Sequence, residues 1–162
     1  MGKTPHGIQT LSVYDSLSMN EGFRSAEAEK AAWDRAWTNP PQRILVVDDD
    51  SSYRQLSVDV LVDSGYTVDT AEDGAAGWEA LQAKIYDLVI TDNVMPKMTG
   101  LEMIGKIRLT GLKVPVMMAT GCLPLFEFAG RPWLYPEATL QRPFSNDDFV
   151  ATVKGVLRRN DK

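Results

Sequence analysis

Asp87-Leu88-Val89-Ile90-Thr91-Asp92-Asn93-Val94-Met95-Pro96-Lys97-Met98-Thr99-Gly100 decides the fold. The apolar run from Leu88 to Ile90 reads as a fully buried strand. It ends on a carboxylate, Asp92. Pro96, Thr99 and Gly100 are loop signals, and a helical pattern begins at Leu101. Asp92 is therefore expected at the carboxyl tip of a central strand. In open α/β sheets that edge is where ligands bind.

A second stretch has the same shape. Arg43-Ile44-Leu45-Val46-Val47 is a short β-branched strand that ends on Asp48, Asp49 and Asp50. If the two strands are parallel neighbours, their acids converge. Crowded carboxylates repel and raise one another's pKa unless a cation is present. An all-oxygen set from one or two carboxylates, completed by waters and a phosphate, suits Mg2+. The competing reading is that the acids only cap the following helices, since Asp is a good N-cap. A single strand leaves the two readings level, whereas two matched strands favour a shared site.

The ordered set of motifs is more specific than any one of them. Val46-Val47-Asp48-Asp49-Asp50 comes first, then Asp92 with Met95-Pro96 and Gly100. Ala119-Thr120-Gly121 and Arg142-Pro143-Phe144 complete the set. It resembles the receiver domain of two-component response regulators, from about Gln42 to the end of the chain. The resemblance implies a flavodoxin-like, doubly wound, five-stranded parallel sheet in the order 2-1-3-4-5, with its switch point between strands one and three. It implies that Asp92 is the phosphoacceptor, since a carboxylate is a competent nucleophile that yields an acyl phosphate. Asp48 and Asp49 then match the Mg2+-binding pair, with the backbone carbonyl of Val94 as a further ligand beside Asp92. Thr120 matches the switch hydroxyl. Arg142 stands where the family has lysine, offering a planar fork instead of a point charge. Pro143 matches a cis-proline that aims residue 142 into the site. Thr139 stands where an aromatic switch residue is usual. Asp50 falls outside the metal pair and is assigned to the following helix N-terminus.

Composition limits the alternatives. The chain has 162 residues, 44% of them hydrophobic, which suits one domain with a real core. Its net charge of −5 argues against a nucleic-acid surface. With one cysteine, Cys122, and one histidine, His6, neither a disulfide within the chain nor a histidine-based catalytic triad is available. No apolar stretch has the length of a membrane span, and Met1 to Thr10 lack the apolar core of a signal peptide. A soluble, cytoplasmic protein without membrane contact is expected.

Residues 1–41 read as an extension that the resemblance does not cover, and 42–162 as the receiver. Within the extension, 25–37 is rich in helix formers and places Trp33 and Trp37 on one face. That helix is expected to dock on the receiver or to pair two chains as a homodimer. Further expected helices run from about Ser52 to Ser64 (Tyr53, Leu56, Val60 and Leu61 facing inward, Gly65 as cap), through Trp78 and Leu81, from Leu101 towards Gly111, and after Ser145. The strands between them are Thr67 to Ala71, Pro115 to Ala119 and Thr139 to Gln141. Pro124, Gly130, Pro132 and Pro136 restrict the fourth receiver helix to a turn or two around Leu125 to Ala129. That would leave Leu125, Phe126, Phe128, Trp133 and Leu134 short of cover.

The expected function is a response regulator receiver, stand-alone or a piece of a longer protein. It would take a phosphoryl group from a histidine kinase or phosphotransfer protein and signal to a downstream protein partner. It is a signalling domain and not an enzyme in the usual sense. Two alternatives stay open: a pseudo-receiver that only binds partners, and a haloacid-dehalogenase-type phosphatase with Asp48 as nucleophile and Asp50 as acid/base.

Overall fold

The computed structural model describes residues 41–160 together with Glu27, Ala28 and Lys30. These three are helical and exposed, within the span read as an N-terminal helix. The rest of that span, including Trp33 and Trp37, lies outside the described residues, and so does its expected docking.

Strands β1 (Arg43–Val47), β2 (Thr67–Ala71), β3 (Leu88–Thr91), β4 (Val116–Thr120) and β5 (Ala138–Gln141) alternate with helices. The helices are α1 (Ser51–Asp63), α2 (Gly74–Ala83), α3 (Gly100–Leu109), α4 (Leu125–Gly130) and α5 (Asn146–Asn160). All strand pairs are parallel, in the order β2-β1-β3-β4-β5. The expected sheet is therefore the observed one.

Alternation along the strands divides the core in two. Leu45, Val47, Val89, Val116 and Met118 face α2, α3 and the α4 segment. Ile44, Val46, Leu88, Ile90, Met117 and Ala119 face α1 and α5. The last helix buries Phe149, Val153, Val156 and Leu157, the face its sequence pattern marks. Gly65 takes φ +92° directly after the Ser64 cap of α1, as a left-handed helix stop requires.

Two expectations need correction. Val58 and Leu61 form the inner face of α1, whereas Tyr53 and Leu56 are 38% and 45% exposed. The first turn of α1 begins at the carboxyl edge of the sheet and overhangs it, so Tyr53 lies over the site instead of the core. In the α4 segment, Leu125, Phe126 and Trp133 are exposed, but Phe128 and Leu134 are buried. A 3-10 turn at Pro132–Leu134 follows the short α4 and folds Leu134 against Gly105 of α3. The fourth helix is irregular, as the prolines dictate, yet still covers that flank.

Away from the site, Asp69 of β2 is fully buried and gathers Arg43, Lys84 and the Tyr86 hydroxyl. A buried carboxylate needs such partners to offset its lost hydration. Burial, followed by the neighbouring Asp69 charge, pushes the Tyr86 hydroxyl pKa far up.

Candidate functional site

The site is built by strand register. Val47 of β1 pairs with Thr91 of β3, so Asp48 and Asp92, the next residue of each strand, emerge side by side. The backbone continues the ladder one step further: the Asp92 N–H donates to the Val47 carbonyl at 3.0 Å, and the Asp48 N–H to Ala71 at 3.1 Å. Carboxylate oxygens of Asp48, Asp49 and Asp92 all lie within 4.8 Å of one another. Asp48 is 2% exposed and Asp92 9%, while Asp49 is open to solvent.

The third acid of the run is occupied elsewhere. Asp50 caps α1, accepting from the Ser52 N–H at 2.8 Å and the Tyr53 N–H at 3.2 Å. Its own N–H donates to Asp48 Oδ1 at 2.9 Å. Arg54, one turn into the helix, donates to the Asp48 carbonyl at 2.6 Å. The start of α1 thus holds Asp48 in place.

Beyond β3, the Asn93 N–H donates to Asp92 Oδ1 at 2.5 Å, and Thr91 Oγ1 to the Asp92 carbonyl at 2.7 Å. Gly100 comes so close that a Cβ there would sit 2.1 Å from the Asp92 carbonyl oxygen. Only glycine allows that approach, which folds the loop back so that α3 can begin. Thr99 and Glu102 form a reciprocal capping box at that start. The Val94 side chain points to solvent, 65% exposed, leaving its identity free.

Arg142 follows β5. Its N–H donates to the Thr120 carbonyl at 2.9 Å, which carries it to the acidic edge, and the Arg142–Pro143 bond is cis. Nη2 bonds Asp48 Oδ2 and Nη1 reaches Asp92 Oδ2 at 3.4 Å. Burial pushes the Asp48 carboxyl pKa up; the bond and charge of Arg142 draw it partly back, and the Asp92 charge adds to the rise. Thr120 is buried at the tip of β4, but its hydroxyl is engaged with its own loop. It accepts from the Cys122 N–H at 3.3 Å and donates to the Cys122 carbonyl at 3.4 Å. Thr139 is exposed on β5, beside Met118 in register and away from the carboxylates. The fold therefore brings Asp48, Asp49, Asp92 and Arg142 together. Thr120 borders them, and Thr139 stands apart.

Two contacts carry no periodic signal in the sequence. The Tyr53 ring packs against the guanidinium of Arg142, 4.1 Å from ring centre to Cζ. Lys97, at φ +65°, pairs its ammonium with buried Asp73 at 2.7 Å. That pair clamps the loop after Asp92 to the N-cap of α2. Burial alone would raise the Asp73 pKa, but Lys97 and the N–H groups of α2 outweigh it and hold the carboxyl below its usual range. The stability this contributes is present above the ordinary carboxylate range and is lost as pH falls through the lowered pKa.

The donor set fits Mg2+: oxygen atoms only, with two carboxylates held at a buried edge and a third facing water. A doubly wound sheet with clustered acids at its switch point defines the class, and comparison with known proteins agrees. The sequence model of the response regulator receiver domain matches residues 44–127, just over half of the chain. The chain belongs to that family. Transcriptional regulatory protein DltR of Streptococcus agalactiae is 32% identical over 118 residues, covering 73% of this chain and 53% of that protein. Chemotaxis response regulator CheY4 of Vibrio cholerae superposes with a TM-score of 0.66 at 30% identity, covering 72% of this chain and 98% of that one. TrrA of Thermotoga maritima, solved in complex with Mg(2+)-BeF, gives 0.63 at 32% identity, covering 71% and 98%. The chain spans about half the length of the curated relatives it matches. No helix among the described residues is long and apolar enough to cross a membrane.

Proposed function

We propose that this chain is a Mg2+-dependent phosphoacceptor. Asp92 takes a phosphoryl group from a histidine kinase or phosphotransfer protein and thereby alters a surface read by a downstream protein. The observation that carries this reading is the convergence of Asp48, Asp49, Asp92 and Arg142 at one sheet edge. An Asp92 carboxylate oxygen attacks phosphorus and forms the new O–P bond. The donor's N–P bond breaks, and its electron pair returns to the imidazole nitrogen, which then takes up a proton. Mg2+, held by Asp48, Asp49, Asp92 and the Val94 carbonyl, would neutralise the acids and the incoming oxygens. Arg142 would leave the carboxylates to meet the phosphoryl oxygens. Thr120 would exchange its bond to Cys122 for one to a phosphoryl oxygen.

The phosphatase alternative needs Asp50 as a free acid/base, yet its carboxylate accepts two helix N–H groups. The pseudo-receiver alternative draws support from Arg142, which already joins two of the acids. Phosphorylation by acetyl phosphate with Mg2+, read by intact mass, separates the phosphoacceptor from the pseudo-receiver: one added phosphoryl group supports the first, and none supports the second.

Two further results are expected. Asp49→Ala weakens Mg2+ binding by about 10-fold or more, since loss of an outer-sphere partner alone costs 10- to 100-fold. In the absence of metal the variant melts no lower than the native protein, because it loses a repelling charge. Calorimetric titration with Mg2+ reads the first effect, and equal affinity would remove Asp49 from the site. Arg142→Ala slows phosphorylation at saturating Mg2+ by about 100-fold, the scale set by loss of one charge-stabilising donor. Arg142→Lys, which keeps the charge, loses less. An unchanged rate in the alanine variant would place the guanidinium outside the reaction.

A further inference from the structure

Arg142 is held by more than the acids. Its side chain is 12% exposed and spans Asp48 and Asp92. Its Nε is buried without a hydrogen-bond partner among the described residues. The remaining face of the guanidinium lies on Tyr53, 4.1 Å from the ring centre. The Tyr53 backbone is held in the first turn of α1, where its N–H donates to the Asp50 cap at 3.2 Å, and this places the ring beside Arg142. A planar cation on an aromatic face is attracted by the ring quadrupole, and more strongly as water is excluded. A lysine at 142 would offer no plane to stack, so the shelf and the arginine suit each other.

We propose that Tyr53 is a positioning residue of this site. Its ring seats the Arg142 guanidinium across Asp48 and Asp92, and so sets how readily a divalent cation displaces it and how it is aimed at a phosphoryl group. The phosphoryl half rests on the phosphoacceptor reading above, whereas the cation half does not. In the seated position Arg142 is an internal counter-ion, and a divalent cation must compete with it for two of three carboxylates. Loosening the seat makes that competition easier. It also makes the guanidinium less well directed once the cation is in place. The two effects have opposite signs, which a general loss of folding would not produce.

The test is a double-substitution cycle on Tyr53 and Arg142, with Mg2+ alone titrated by calorimetry and melting temperature recorded beside it. Tyr53→Leu is expected to tighten Mg2+ binding about 3- to 30-fold, the span of a cation–π contact from exposed to desolvated settings. Phosphorylation by acetyl phosphate at saturating Mg2+ should slow in the same variant. Tyr53→Phe keeps the ring face and should restore both values. In an Arg142→Ala background, Tyr53→Leu should change neither. Native Mg2+ affinity in Tyr53→Leu, or an equal shift with and without Arg142, would overturn the proposal. Should Asp92→Asn still accept phosphate, the phosphoacceptor reading falls alone, and the Mg2+ cycle still decides the role of Tyr53.

Discussion

Asp92→Asn leaves a protein that folds and takes up no phosphate. Native protein incubated with acetyl phosphate and Mg2+ should show a single phosphoryl adduct by intact mass, and the variant none. Position separates this carboxylate from its neighbours. Asp92 stands at the tip of β3 with its backbone N–H tied to Val47 and its Oδ1 accepting from the Asn93 N–H, so its oxygens are fixed at the sheet edge. Asp48 is deeper. Each of the two carboxylates accepts a backbone N–H on one oxygen and meets Arg142 on the other, but the Arg142 contact to Asp92 is the long one, at 3.4 Å, and leaves that oxygen the freer. Asp50 serves the helix, and Asp49 is exposed beside the other two. A nucleophile needs a lone pair free to approach phosphorus and a charge to donate, and the amide of asparagine supplies neither at useful strength. The replacement has the same shape, so melting should stay close to the native value. If Asp92→Asn were labelled and Asp48→Asn were not, Asp48 would be the nucleophile and the phosphatase reading would take over.

How far the sequence carries such an argument differs between parts of the molecule. β1 and β3 are legible because each is an unbroken apolar run closed by acids, and a strand buried on both faces leaves no other reading. Their register follows from adjacency, and it converts two separate motifs into one site. Asp50 could be assigned to the cap because the helix begins immediately after it. The inner face of α1 could not be read as well. Periodicity assigns Tyr53 and Leu56 to a face, but it does not say where the helix overhangs the sheet. Tyr53 falls past the edge, where its partner is an arginine 89 positions later in the chain. The Lys97–Asp73 clamp is hidden for the same reason, since it joins two loops with no repeat between them. In the α4 segment the prolines announce the short helix correctly. They do not reveal that a 3-10 turn compensates for it, because that depends on the room Gly105 leaves for Leu134.

The same segment provides a sharp test of packing. Phe126 and Phe128 lie two residues apart in α4, the first 91% exposed and the second fully buried. Phe128 belongs to the core cluster with Met103, Ile104, Ile107 and Leu134, and its ring stacks on Tyr135 with centres 4.6 Å apart. Removing it to alanine leaves a cavity among side chains that already pack on α3. Such truncations cost about 3 to 5 kcal/mol. Against a total stability of roughly 5 to 15 kcal/mol for a domain, that is a large share. α4 has six residues and no side-chain cap, and a helix so short has little stability of its own. Phe128 is therefore the anchor that makes the helix form at all. Phe128→Ala should lower the melting temperature by roughly 10 °C or more. Phe126→Ala, which removes a ring already in water, should stay within about 0.5 kcal/mol of the native protein. Denaturant unfolding of the two variants side by side checks this. Equal losses would mean that α4 does not pack on α3 as described, and a larger loss at Phe126 would mean that its ring is covered in solution.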